Sequence, residues 1–592
     1  MTISANYPTV APSLNLDFAN SQQLDPRITF SRPTTAAYYD ANTTALAEQN
    51  LLTYSQDFTN GVWIKGTTTV TANSTTAPDG TTTASTINPA GAGGTIYQQP
   101  SGLTLSVGAI STMSVYLKAG TETQVFFAFI QGASSRGSGC TIDLSAGTAG
   151  AITNYGGTTG STVTVTSVGN GWYRCIFNVN ITVSGTQWTI YLTNTTSTNN
   201  FFMWGAQLEQ HSSVTAYNVT TTAAITNYIP VLLTAPTNQA RFDHDPVART
   251  SLGLLIEQQS TNLLTWSSDY TNAAWAKSGS PSITATATIA PDGTQTAQLY
   301  VKPVSAGAGT WAYVNQNATI SNSASYTLTL YVKSAGLSTV RVQTSGAEVE
   351  YTFSSNTFTF NTGGTNTATS VGNGWVRLSI TYTSNSTTGA NIIGNRSDAG
   401  NGYSGIYIWG AQMEALAFPT SYIPTVASQV TRSADNASMT GTNLTSWYQQ
   451  GSAGTFYLAG DYVQQTGNVG AQMAITDGTT NNRFQSIIVG TQANAMNVSI
   501  VANGVIIVNT NVVITASTKI KSAFSINSTT FNIGQNGNTA TGSISNPLPT
   551  GINILWIGQI PANPVWANAH ISKIAYYPIF CTSAQLQSLT GS

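Results

Sequence analysis

The chain says nearly the same thing twice. Residues 50–65 read NLLTYSQDFTNGVWIK, and residues 262–277, beginning 212 positions later, read NLLTWSSDYTNAAWAK. Further pairs follow in the same order: APDG at 77–80 and 290–293, VGNGW at 168–172 and 371–375, WGAQLE at 204–209 and WGAQME at 409–414. A period this long excludes a solenoid coil, so each copy has to be a whole domain with its own core. Duplication of an entire module points to surface recognition before it points to catalysis.

Composition says what kind of domain. Charged residues make up 7% of the 592, against about 25% in ordinary globular chains. Thr, Ser, Asn and 53 Gly take their place, while hydrophobic residues stay at 41% with 12 Trp, 26 Tyr and 19 Phe. That is enough apolar material for several cores, and a net charge of −2 is too small to drive disorder. Thr favours strands, and Asn and Gly favour the turns between them. Period-two alternation recurs: Met113, Val115 and Leu117 share one face while Tyr116 and Lys118 share the other, and Leu328, Leu330 and Val332 oppose Tyr331 and Lys333 in the second copy. The fold class expected is all-β, with antiparallel sheets packed as sandwiches. One short helix is expected, at 583–589.

The repeat also sets the boundaries. Residues 1–49 read as an extended N-terminal arm, 50–220 as module 1, 221–261 as a strap, 262–427 as module 2 and 428–592 as the C-terminal sandwich. The strap is too apolar for a free linker, because Val231–Leu233 and Leu252–Ile256 need something to pack on. No basic stripe is available for phosphates, so nucleic acid is excluded as a partner. No apolar run is long enough to span a bilayer, and the start MTISANYPTVAPSLNLDF lacks the basic and apolar regions of a secretory signal. Cys140, Cys175 and Cys581 have no metal spacing; Cys175 stands where the second copy has Leu378 and reads as a small core hydrophobe.

Several stretches resemble bacteriophage virion appendage proteins, the tail-fibre and minor structural proteins: LNLDFANSQQLDPRITFSRPTTAAYYD, RFDHDPVARTSLGLLIEQQSTNLLT, and WGAQ(L/M)E followed by a TSYIPT segment. The repeated module looks like a jelly-roll carbohydrate-binding module, and ISKIAYYPIFCTSAQLQSLTG resembles the ending of a concanavalin/laminin-G-like lectin sandwich, which implies tandem antiparallel jelly-roll sandwiches followed by a C-terminal lectin-like β-sandwich. The resemblance implies a non-enzymatic virion protein, assembled in the host cytoplasm. It would contact other virion proteins through its arm and host surface polysaccharide through its modules, with a homo-oligomer, by analogy a trimer, as its assembly. Alternatives of other classes are a decoration protein that binds no sugar and a polysaccharide-degrading tailspike. In simpler relatives the DPRITF strand leads directly to the RFDHDP–SLGLLIE strand, so module 1 looks inserted, and residues 14–39 and 227–256 are expected to meet as one discontinuous β element.

Trp63/Trp275, Trp172/Trp375 and Trp204/Trp409 recur in both copies and read as core fillers. Aromatics that differ between the copies are the better glycan candidates: Trp188 and Tyr191 in module 1, Trp311 and Tyr313 in module 2. Trp311 and Tyr313 share a strand face, whereas Trp188 and Tyr191, three apart, do not. No catalytic residue is expected, since neither GxSxG nor HExxH occurs. No cofactor is expected except a structural calcium, which related jelly rolls hold near their first and last strands; Asp57 with Glu209, and Asp269 with Glu414, are the candidate ligands. His244 lies between Asp243 and Asp245 and reads as structural.

Overall fold

A computed structural model describes residues 8, 10–131, 136–182, 184–186, 188–194, 198–462, 469–489, 495–512, 519–560 and 565–591. The chain is all-β, with antiparallel sheets and three short helices among the described residues. The longest helix, Ser583–Thr590, starts with a capping box in which Thr582 and Gln585 satisfy each other's free backbone N–H groups. Among the described residues no helix is long and apolar enough to cross a membrane.

The two copies fold alike. In module 1 one sheet runs Thr162–Gly169, Trp172–Asn180, Ile110–Ala119, Phe201–Glu209, Ala84–Pro89, Thr68–Thr75. Module 2 repeats that order with Thr365–Gly372, Trp375–Thr383, Ser325–Ala335, Gly405–Glu414, Ala297–Val301, Ser282–Thr288. The opposing sheet of module 1 runs Thr148–Ala149, Arg136–Asp143, Gln124–Gln131, Trp188–Asn194, Thr95–Gln98, Ile64–Gly66. Its counterpart is Thr357–Asn361, Glu348–Thr352, Thr339–Gln343, Thr388–Asn395, Ala312–Thr319, Ala276–Ser278. Alternation supplies each core: Met113, Val115 and Leu117, and likewise Leu328, Leu330 and Val332, are fully buried. Within WGAQ, Gly205 and Gly410 take φ of +61° and +64° beside a β-bulge, a conformation that a side chain there would strain.

The third sandwich is assembled from three separate pieces of chain. Residues 1–49, expected as an extended arm, contribute two strands to it: Leu14–Leu16 pairs with Ala569–Tyr577, and Thr29–Ser31 pairs with Asn436–Thr440. Ser251–Ile256 from the strap joins the same terminal strand, so the sandwich is not confined to 428–592. Leu14, Leu16, Phe18, Leu254 and Ile256 are buried in one core with residues of the C-terminal part. Burial of each such side chain stabilises by about 1.5–3 kcal/mol, which is why these segments pack and do not trail in solvent.

Between the sandwiches runs a two-stranded ribbon, Ala36–Asn50 against Ile225–Ala235, which carries the chain out to module 1 and back. The ribbon lies on module 2. Ala37, Tyr39, Ile229 and Leu232 pack with Tyr331, Trp375, Trp409 and Tyr422, Leu232 N–H donates to Pro291 O at 2.8 Å, and Lys333 pairs with Glu48. Tyr331, outward on its own sandwich as its strand position requires, is thereby only 1% exposed.

Where these segments converge, five charges are buried together. Arg32 meets Asp435 at 2.9 Å, Arg241 meets Glu257 at 2.9 Å and Asp435 at 2.5 Å, and Arg432 lies 3.5 Å from Glu257. Burial alone would push the Glu257 carboxyl up; Arg432 and Arg241, with hydrogen bonds from Ser421, more than reverse this and hold it well below the usual carboxylate range. Nearby, the RFDHDP segment is held structurally. Asp243 accepts from Tyr39 N–H at 2.7 Å and faces His570 at 2.8 Å, and buried His244 turns Nδ1 towards the Phe242 carbonyl at 3.2 Å.

Candidate functional site

What the copies share does the same structural work twice. Asn50 donates to the Ala206 and Asn218 carbonyls while its Oδ1 accepts from Leu52 N–H. Asn262 does the same for Ala411, Ile423 and Leu264. The indole N–H groups are tied off in pairs: Trp63 to Tyr54 O and Trp275 to Trp266 O, Trp172 to Thr76 O and Trp375 to Ile289 O, Trp204 to Thr83 Oγ1 and Trp409 to Thr296 Oγ1. Tyr217 and Tyr422 each pair at 2.7 Å with the serine of the opening motif, Ser55 and Ser267. The asparagine and tyrosine bonds tie each opening motif to the closing strand and the segment just beyond it, which explains why the motifs at the two ends match.

The copies part company on one surface, the outward face of the sheet that opposes the WGAQ strands. Strand register makes the comparison position by position, because Lys65 and Lys277 occupy the same place and Gln98 and Gln316 make the same bond, to Thr53 and Thr265 N–H. In module 1 one row across the sheet reads Ile64, Tyr97, Tyr191, Ala128, Gly139. The same row in module 2 reads Ala276, Asn315, Ile392, Gln343, Glu348. The next row is Thr95, Thr193, Phe126, Thr141 in module 1 and Tyr313, Gly394, Arg341, Glu350 in module 2. The inward residues between them stay apolar in both copies: Ile96 and Val314, Leu192 and Ile393.

The two faces therefore differ in chemistry. Module 1 presents an uncharged, partly exposed aromatic step. Tyr97 and Tyr191 lie with ring centroids 5.9 Å apart at 32°, beside Ile64 at 46% exposure. Partial burial and the neighbouring Tyr97 push the Tyr191 phenol up. Gly139 keeps the next strand low; a Cβ there would come within 2.5 Å of the Phe126 ring. Module 2 fills the equivalent space with an ion-pair network in which Arg341 bonds Glu348 at 2.8 Å, approaches Glu350 at 3.5 Å and stacks over Phe360 at 3.8 Å.

Among the expected glycan contacts, Tyr191, Trp311 and Tyr313 are partly exposed. Trp311 and Tyr313 meet edge to face at 5.6 Å, next to the ion-pair network. Trp188 requires correction: it is 1% exposed and stacks on Phe129 at 5.0 Å inside the module 1 core, because it shares the inward face of its strand with Ile190 and Leu192. Tyr97 and Phe126 were missed. The alternation in TIYQ and QVFFAFIQ, phased on the buried residues, turns both outward.

The four carboxylates considered for calcium are engaged by neighbours. Glu209 accepts from Thr215 N–H and Oγ1, and Glu414 accepts from Thr420 and from Ser260 Oγ at 2.7 Å. Burial raises the Glu209 carboxyl above its usual value. Asp57 and Asp269 each accept from the hydroxyl and N–H two residues on, Thr59 and Thr271. No group of three or more His, Cys, Asp or Glu positioned for a metal occurs among the described residues.

No protein-family model matches the sequence, and no curated protein matches it significantly. Similar solved structures include the CBM40 of the Ruminococcus gnavus IT-sialidase bound to alpha2,6 sialyllactose, at 15% identity over 24% of this chain and 84% of that one, TM-score 0.21. Another is the NanB sialidase from Streptococcus pneumoniae, 13% identical over 26% of each chain, TM-score 0.22, so about a quarter of that protein is spanned. A third is the CBM22-1-CBM22-2 tandem of Paenibacillus barcinonensis Xyn10C, 10% identical over 62% of this chain and 98% of that one, TM-score 0.20.

Proposed function

We propose that this chain is a non-enzymatic glycan-binding protein whose principal contact surface is the outward Tyr97–Tyr191 face of module 1. The observation that carries this reading is the substitution pattern. The inward positions between the two rows stay apolar, Ile96 and Val314, Leu192 and Ile393, while the outward face has become an open aromatic step in one copy and a closed ion-pair network in the other. Sugar recognition uses a flat apolar ring face flanked by hydroxyl and amide groups, and Thr95, Thr141 and Thr193 border the two tyrosines. The Trp311–Tyr313 corner of module 2 is a second, smaller contact. Two modules on one chain, multiplied in an oligomer, would raise avidity without any single tight site.

The setting we infer is a phage particle, with the protein a tail or capsid fibre at the host surface; the resemblance of the LNLDF…DPRITF and RFDHDP segments supports it. Cutting of the glycan is disfavoured, because a glycosidase needs two available carboxyls about 5–10 Å apart, and Arg341 engages both Glu348 and Glu350. The test is binding of the intact protein to an array of bacterial surface polysaccharides, with Tyr97→Ala/Tyr191→Ala alongside. The reading requires a wild-type signal that the double variant loses. Equal binding by both proteins would move the contact away from this face, and no binding by either would leave a purely structural role.

A further inference from the structure

Because the ribbon lies on module 2, it does more than cover that surface: it walls off a cavity of about 400 Å3 that module 1, with no ribbon on its matching face, cannot have. This size falls within the roughly 300–1,000 Å3 of small-ligand sites. The floor is apolar and aromatic, from Trp409, Tyr422 and Leu232, while exposed Thr35, Thr234 and Thr431 contribute to the lining with their hydroxyls. The polar ends of the two rings are already bonded, Trp409 Nε1 to Thr296 Oγ1 and Tyr422 OH to Ser267 Oγ, so what they offer the cavity is ring surface.

One further group on its lining has an acceptor to spare. Asp292 spends one carboxylate oxygen on Thr294, accepting from N–H at 3.0 Å and Oγ1 at 2.6 Å, and has the other to give.

We propose that this cavity is a second carbohydrate site, specific for a single neutral pyranose residue such as a chain end. An acceptor (Asp292), threonine hydroxyls and ring surface together match a ring that carries hydroxyls on its edge and C–H groups on its face. The Asp292 carboxylate repels an acidic sugar. This rests on the glycan-binding reading but uses a separate surface: the Tyr97–Tyr191 face suits a stretch of polymer, and the cavity suits one ring.

The experiment titrates the full chain with glucose, galactose, mannose, N-acetylglucosamine and glucuronate, read by saturation-transfer NMR and calorimetry. At least one neutral sugar should bind one-to-one and glucuronate should not. Asp292→Asn keeps the Oδ1 acceptor for Thr294 and should weaken binding about ten-fold, the usual effect of losing one hydrogen bond to a charged group. Thr234→Trp should fill the cavity and abolish binding, with an unchanged melting temperature in both variants. Tyr97→Ala/Tyr191→Ala should leave monosaccharide binding intact. The proposal is overturned if no neutral sugar binds, if binding survives Thr234→Trp, or if glucuronate binds equally well. Polymer binding that persists while no monosaccharide binds sinks the cavity alone; absent polymer binding with an intact monosaccharide titration sinks the platform alone.

Discussion

Removing one carboxylate from the buried charge cluster should loosen the seam that gathers distant pieces of chain into the third sandwich. Asp435→Asn keeps the side-chain shape but deletes the charge that Arg32 and Arg241 face at 2.9 and 2.5 Å. Three guanidiniums, none more than 1% exposed, would then be left with Glu257 alone. Stranding a buried ionic partner costs about 3–5 kcal/mol, a large share of the roughly 5–15 kcal/mol that holds a typical domain. A chain with several cores has no single unfolding free energy, so the measurement has to be local. Hydrogen exchange resolved by segment is suited to it. Amides of Leu14–Leu16 and Thr29–Ser31, the two strands that precede Arg32 and pair within the third sandwich, should exchange roughly two to three orders of magnitude faster. Those of Phe201–Glu209, inside module 1, should not change. Asp17→Asn is the control, since its partly exposed pair with Lys573 at 3.5 Å should contribute under about 1 kcal/mol. Protection at the two N-terminal strands within about ten-fold of wild type would refute the claim that the cluster holds the seam.

The same seam should be acid-sensitive. Glu257 is held below its unfolded value of about 4.3, so its contribution is complete above that pH and is lost as pH falls through it towards the folded value; exchange at Ser251–Ile256 should accelerate below about pH 4 and Glu257→Gln should flatten that response. Asn50→Ala and Asn262→Ala each remove a fully buried amide that ties the opening motif to the closing strand. Each should destabilise only its own module, by about 1–3 kcal/mol per stranded backbone group, seen as a shift of one denaturation transition with the other fixed. Gly293→Ala puts a Cβ 3.0 Å from Val231 and 3.1 Å from Ala45 at a φ of +79°, so it should lift the ribbon and raise proteolysis within Ile225–Ala235.

How much of this was legible depended on whether a contact leaves a local trace. The strands did: alternation such as that of Met113, Val115 and Leu117 is imposed by the core and reads directly. The matched motifs did too, because Asn50 and Asn262 or Trp63 and Trp275 answer the same backbone demand in each copy. The partner of the N-terminal strand left none, since Leu14 opposite Tyr576 joins segments more than five hundred residues apart and nothing local encodes that pairing. Trp188 is a different failure. Its strand, WTIYLTN, carries Trp188, Ile190 and Leu192 on one face and Tyr191 on the other, so the phase was available. Absence of a matching tryptophan in the second copy was read as exposure, when it reflected a different way of filling the same kind of core.

Duplication made the two modules equal, and two later additions made them unequal in different places. Packing fixes the inward residues of a sandwich, because a change of one methylene there is felt by its neighbours. Outward positions carry no such constraint, which is why Tyr97 and Tyr191 can stand where Asn315 and Ile392 stand without disturbing either core. The ribbon is the second addition. It exists only because the chain must travel out to module 1 and return, and it crosses the aromatic face of module 2 on the way. Trp409 and Tyr422 occupy the places of Trp204 and Tyr217, so the cavity over them owes nothing to new aromatic residues. It is a product of connectivity: the same fold chemistry that seals one copy becomes the floor of a site in the other.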